Sequence, residues 1–254
     1  RGKWRHFWSC VEKNIIRNSE YFFTTDEYRL KFISRYYKIK NENIGYILNA
    51  PSNDVSISKK VGDRINFKDK FVVSYCGGII EGRGIESIIE AYASFQKETK
   101  DSYLLLAGSI EREYQELLIN KIKKLGINSN QVLFTGKLDN DTLISYMSLS
   151  DVTFALYSNT SLNNRMCSPN KVFDALHSKT YVITTKSFLT TDIVLRNNIG
   201  EIIHSINSNS ILRALEKCYN KKNNQMNNEQ WVNLQLKYSW DSEFERVKKN
   251  IVFK

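Results

Sequence analysis

The sequence predicts an α/β fold: a doubly wound parallel sheet with helices on both faces. Two observations carry this. Short apolar runs recur at 71–75, 103–107, 131–134, 151–156, 181–184 and 201–204. They are continuous rather than alternating, the pattern of strands buried on both faces. Between them lie stretches whose apolar residues repeat at three and four positions, the period of a helix with one buried stripe. Strand and helix in regular alternation give a parallel sheet with right-handed crossovers.

Taken in order, the first fifty residues read as a helix over 4–17, a strand over 21–24, a helix over 25–37 and a strand over 44–48. Two strands make no stable sheet unaided. Residues 1–54 are therefore expected to be the tail of a preceding domain, with the turn-rich 49–54 as hinge. Because the chain opens on Arg1, a longer gene product is expected. The main domain is expected over 55–228. Its first helix shows Ile85, Ile88, Ile89, Tyr92 and Phe95 on one face. Its second shows Tyr114, Leu117, Leu118, Ile122 and Leu125, stopped by Gly126. A third runs from Asp141 to about Leu149, with Asn140 as N-cap. A fourth covers 170–178. Residues 220–228 are polar enough for a loop, and 229–254 are helical again, expected to cross back toward the preceding domain.

Composition narrows the function classes. With 254 residues, 41% hydrophobic and 12% aromatic, the chain builds a packed core and is not disordered. No apolar run approaches the roughly 18 residues that span a bilayer. Cys10, Cys76, Cys167 and Cys218 form no C-x-x-C pair, and with His6, His177 and His204 scattered, no metal site is expected. Buried free thiols in a reducing cytoplasm are the simplest reading. The net charge is +10, concentrated early: residues 1–40 hold ten Lys/Arg against four carboxylates. Such a surface suits phosphorylated substrates or anionic lipid. Nucleic acid is not expected as a partner, for no basic motif interleaved with aromatics is present.

Two strand–helix turns carry chemistry. Gly77-Gly78-Ile79-Ile80-Glu81-Gly82-Arg83-Gly84 follows a strand and precedes a helix. Its glycines admit a ligand close to the backbone, and Arg83 offers a bidentate donor to phosphate. It is neither G-x-G-x-x-G nor a Walker loop. The second turn is Ser168-Pro169-Asn170-Lys171-Val172-Phe173-Asp174. Ser168 is expected as N-cap and Pro169 at the first helical position. The amides of Asn170, Lys171 and Val172 would then face an anion, with Lys171 adding full charge. Asp174, one turn further, suits the hydroxyls of a ribose. Ser168-x-x-Lys171 also matches the serine–lysine pattern of penicillin-recognising enzymes, but no S-D-N or K-T-G follows.

The ordered series GGIIEGRGIESIIEAY, YLLLAGS, VLFTGKLDNDTLISYMSLSDVTFAL and SPNKVFDALHSKTYVITT resembles the C-terminal domain of GT-B glycosyltransferases of the retaining family four. Upstream, FFTTDEYRLKFISRYY and IGYILNAP resemble the end of that family's N-terminal domain. Downstream, YSWDSEFERVKKNI resembles its closing helix. The resemblance implies the C-terminal, Rossmann-like half of a GT-B fold with a remnant of the N-terminal half. It implies transfer of a sugar from a UDP- or GDP-sugar to a glycan or lipid-linked acceptor, with retained configuration, no cofactor and no metal. The place implied is the cytoplasm, peripheral at the inner membrane face.

Carried over by position, Gly77, Gly78 and Arg83 hold the donor diphosphate together with Lys171, and Lys137 and Leu138 line the base pocket. Asp174 matches the second acid of the family's E-x7-E pattern. The first falls on Met166, and no Asp or Glu stands between Asp151 and Asp174. Gly78 stands where many members have arginine. These departures leave two alternatives beside a transferase: a degenerate binding module, or a nucleotide-sugar epimerase of the same architecture. Weak transfer by this chain alone is expected.

Overall fold

The computed structural model describes residues 2–39, 44–54, 67, 69–222 and 226–249. The expected boundary at 54/55 and part of the 220–228 loop lie outside these residues. The chain opens with α1 (Gly2–Asn18), β1 (Phe22–Thr24), α2 (Glu27–Tyr37) and β2 (Ile44–Tyr46). β1 and β2 pair in parallel, Phe22 opposite Ile44. Asp26 caps α2, its carboxylate accepting the Arg29 amide at 2.8 Å.

The main sheet holds β3 (Phe71–Cys76), β4 (Ser102–Ala107), β5 (Val132–Phe134), β6 (Val152–Ala155), β7 (Tyr181–Thr185) and β8 (Gly200–Ile203). Every pairing is parallel. The spatial order is β5-β4-β3-β6-β7-β8. β3, β6 and β7 are buried at every position, so the continuous apolar runs have the physical cause assigned to them.

The helices are α3 (Ile85–Glu98), α4 (Arg112–Lys124), α5 (Asn140–Ser148), α6 (Leu162–Arg165), α7 (Asn170–His177), α8 (Phe188–Arg196), α9 (Ser208–Asn220), α10 (Asn228–Lys237) and α11 (Trp240–Lys248). α3 packs against α4 and α9, while α7 packs against α5 and α10. Ile85, Ile88, Ile89, Tyr92 and Phe95 are all buried, as their spacing requires. In the second helix Tyr114, Leu118 and Ile122 are buried, but Leu117 and Leu125 are exposed.

Local readings are corrected in three places. Asp139, not Asn140, caps α5; its carboxylate takes the Thr142 amide at 2.8 Å and the Thr142 hydroxyl at 2.8 Å. A carboxylate at the positive helix end outcompetes the amide that follows it. The closing stretch is two helices, since Tyr238 leaves helical geometry and Ser239 starts α11. Cys10 is exposed and Cys167 half-buried, not buried; Cys76 and Cys218 are buried.

α11 joins the early segment to the rest. Glu243, 7% exposed, accepts the Leu48 amide at 3.0 Å and pairs with Arg246 at 2.6 Å. The Arg246 guanidinium also donates to the Tyr46 carbonyl at 2.7 Å and lies over the Tyr46 ring. Replacing Glu243 with Ala leaves a buried amide unpaired. Glu243→Ala is expected to cost about 2 kcal/mol of stability, read as a lower urea midpoint, whereas Glu245→Ala on the exposed face changes little.

Candidate functional site

In the sheet order, β4 and β5 run out one way from β3, and β7 and β8 run out the other way from β6. Between β3 and β6 the connections diverge and leave a crevice beyond the carboxyl ends of the strands. Both chemistry-bearing turns open there: Gly77 follows β3, and the stretch leading to α7 follows β6.

The first turn depends on close backbone approach. Gly77 has φ 129° and donates its amide to the Ala107 carbonyl at 2.8 Å. A Cβ on Gly108 would lie 2.1 Å from the Gly77 carbonyl oxygen, so the turns after β3 and β4 touch only because Gly108 has no side chain. A Cβ on Gly77 would lie 2.7 Å from the Lys171 ammonium. That ammonium sits 3.8 Å from the centroid of the Tyr75 ring. The Tyr75 hydroxyl in turn donates to the Gly78 carbonyl at 3.1 Å. Lys171 is thus held between a bare backbone and an aromatic face. Gly78 itself is exposed.

Arg83 stands between two left-handed glycines, Gly82 (φ 77°) and Gly84 (φ 78°). Its guanidinium lies over the ring of Tyr157, 5.1 Å from the centroid. Tyr157 follows β6, so the contact spans the crevice.

The second turn is shifted by one residue from the expected cap. Pro169, with ψ 124°, is the N-cap of α7, and Asn170 is its first helical residue. Ser168 caps nothing, because the helix begins one residue later than expected and the Val172 amide bonds the Pro169 carbonyl at 3.1 Å. The donors left open at the helix end are the amides of Asn170 and Lys171, not that of Val172. The Val172 side chain is buried in the core, as is Phe173. The Ser168 hydroxyl oxygen is buried and has no hydrogen-bond partner among the described residues.

A cleft of about 520 Å³ collects Gly77, Tyr157, Ser168, Asn170, Lys171 and Asp174, and Thr25 and Arg29 of the early segment close it. Burial pulls the Lys171 ammonium down to about 8. Its neighbour Arg83 pulls the same way, while Cys76 and Asp174 oppose. Burial pushes the Asp174 carboxyl up to about 6, against the pull of Lys171. Desolvation outweighs their mutual attraction, so each titrates closer to neutral pH than an ordinary lysine or aspartate while both stay mainly charged between about 6 and 8. Burial also raises the Cys167 and Cys76 thiols, the latter to about 12, which removes a thiolate nucleophile from this site.

The other sequence-derived positions lie outside the lining. Lys137 is exposed and Leu138 half-buried against the core, both just beyond the Gly108–Gly136 bridge. Met166 is buried and lines a separate groove of about 600 Å³ with Tyr28, Phe32, Tyr36 and Phe188. Its carbonyl accepts from the Arg29 guanidinium at 3.1 Å. Sequence reasoning missed Tyr75, Tyr157, Arg29 and Asn163. Tyr75 reads as an ordinary strand residue, and Arg29 lies 137 positions from the carbonyl it meets.

The family model described as "Glycosyl transferases group 1" matches residues 57–231. The chain belongs to this family. An uncharacterized glycosyltransferase of Methanocaldococcus jannaschii, MJ1069, is 29% identical over 96 residues, which is 37% of this chain and 23% of that protein. The serotype-specific mannosyltransferase WbdA of Escherichia coli is 32% identical over 89 residues, 34% of this chain and 11% of that protein. The chain therefore spans under a quarter of the curated relatives it matches. In fold, HepE of Anabaena, solved with UDP and glucose, superimposes with a TM-score of 0.72 at 14% identity, over 94% of this chain and 65% of that one. This glycosyltransferase chain has the parallel α/β architecture of GT-B enzymes.

Lys171 is expected to lose its proton near pH 8, well below an ordinary lysine at 10.5. NMR titration of the 13C-labelled lysine side chains reads this directly, with Lys171→Met identifying the resonance.

Proposed function

We propose that this glycosyltransferase chain supplies the donor site for a UDP- or GDP-sugar, the diphosphate lying at the mouth of the crevice. One observation carries the reading: two cations, an open helix N-terminus and a desolvated carboxyl converge where the sheet topology leaves its crevice. Lys171, Arg83 and the amides of Asn170 and Lys171 match a diphosphate. Asp174 matches paired ribose hydroxyls, and the Gly77 and Gly78 backbone lets the phosphates come close. Lys137 and Leu138 are assigned to the base.

Transfer breaks the bond between the anomeric carbon and the phosphate oxygen, and its electron pair goes to the diphosphate. The acceptor hydroxyl bonds to the anomeric carbon, and its proton leaves with the diphosphate. Fixed cations in a dry cleft stabilise that growing charge without reorganising, the main electrostatic source of catalysis. Cations built from the chain take the part a metal plays elsewhere, so the proposed reaction is metal-independent. By family resemblance it retains the anomeric configuration.

An epimerase reading needs acid–base pairs and histidines in the cleft, and among the described residues Asp174 is the one acid in its lining. The proposed acceptor is a glycan or lipid-linked glycan of cell-surface polysaccharide synthesis. Trp4, Phe7 and Trp8 of α1 are exposed, Trp4 at 70%, amid the basic early segment. That surface supports a cytoplasmic, membrane-peripheral setting. No described helix is long and apolar enough to cross a membrane.

Calorimetry with UDP, GDP and their sugars is expected to give saturable binding. Lys171→Met and Asp174→Ala should each weaken it by about tenfold to a hundredfold, and Arg83→Ala by about tenfold. Affinity is expected to fall as pH rises through about 8, where Lys171 discharges, and as it drops below about 6, where Asp174 takes up a proton. Absence of heat with every nucleotide sinks the reading. Separately, sedimentation with anionic vesicles should exceed that with neutral ones and fall in Trp4→Ser/Trp8→Ser.

A further inference from the structure

We propose that the donor sugar is acidic, a hexuronic acid whose carboxylate is held by Arg29; this rests on the nucleotide-sugar reading above. The resemblance sets a carboxylate at position 166 and this chain has Met166, with no Asp or Glu from 152 to 173. The structure brings a cation to the backbone of that residue, at the edge of the cleft. Arg29 reaches from α2 to the carbonyl of Met166 at 3.1 Å and to the Asn163 side-chain oxygen at 3.3 Å. Both bonds use one terminal nitrogen, Nη2. The guanidinium's other N–H groups have no partner among the described residues, and Arg29 lines the same cleft as Lys171.

Arg29 also has no ion pair among the described residues. Asp26, three residues earlier, is 1% exposed, and its two oxygens accept the Arg29 amide and the Thr25 hydroxyl. Glu12, on the adjoining groove, is engaged by the Tyr37 hydroxyl. Asp174 lies on α7, beside Lys171. A half-buried guanidinium with an unfilled fork is suited to a planar carboxylate. A neutral hexose would leave that charge uncompensated as the site dries on binding. The orphaned Ser168 hydroxyl opens a further hydrogen bond into the same cleft, and Thr25, Asn163 and Asn170 are neutral partners for sugar hydroxyls. Charge at the sugar end of the site is thus reversed relative to the family pattern.

The test is calorimetry on the whole chain with matched donors: UDP-glucuronic acid against UDP-glucose, GDP-mannuronic acid against GDP-mannose, and UDP and GDP alone. With the favoured base, the acidic sugar is expected to bind about tenfold to a hundredfold tighter than the neutral one. Arg29→Gln should bring that ratio close to one, and Arg29→Lys should restore part of it, with thermal unfolding confirming that both variants fold. Equal affinity for acidic and neutral donors overturns the inference. So does an Arg29→Gln chain in which UDP and GDP weaken as much as the acidic sugars, since Arg29 is then a phosphate ligand. Binding of no nucleotide at all overturns the donor-site reading and this inference with it.

Discussion

β3 and β6 lie side by side in the sheet, yet about seventy-five residues separate them in the chain. The connections leaving them go to opposite sides, so neither covers the gap between their carboxyl ends. That constraint sets the rest of the site. It brings Gly77 against Lys171, puts Arg83 over Tyr157, and aims the start of α7 into the opening. Glycines at 77 and 108 are the local consequence, because the turns crowd together and any Cβ would strike a neighbour.

The crevice is dry enough to disfavour its own charges. Lys171 is depressed and Asp174 raised, each chiefly by burial. Tyr75 offsets part of the cost by presenting a ring face to the ammonium, and Tyr157 does the same for Arg83. Two cations beside aromatic faces, with weak carboxylate compensation, form a site whose electrostatics are completed by an anion. Such preorganisation runs against the stability of the fold, as is usual where charges are buried together.

The early segment borders the same cleft. α2 delivers Arg29 and the turn before it delivers Thr25 to the cleft, Tyr28 stacks on Phe188 at 5.7 Å, and α11 fastens β2 through Glu243 and Arg246. The departure at Met166 makes sense in this setting. The side chain turns into an aromatic groove, while its carbonyl accepts from the Arg29 guanidinium.

What the sequence determined by itself was the sheet, its parallel sense and the two turns that carry charge. Burial on both faces writes continuous apolar runs, and one-sided burial writes a helical period; both are local signals. The family's order of stretches then located Arg83, Lys171 and Asp174. Which hydroxyl or amide caps a helix was not settled by residue type: Asp139 displaced Asn140, and Pro169 left Ser168 without a role as a cap. Tertiary structure alone decided what meets across the crevice. Tyr75 under Lys171, Tyr157 under Arg83 and Arg29 at Met166 are contacts between distant parts of the chain. No periodicity encodes them, because they depend on the order in which strands lie in the sheet and not on their order in the sequence.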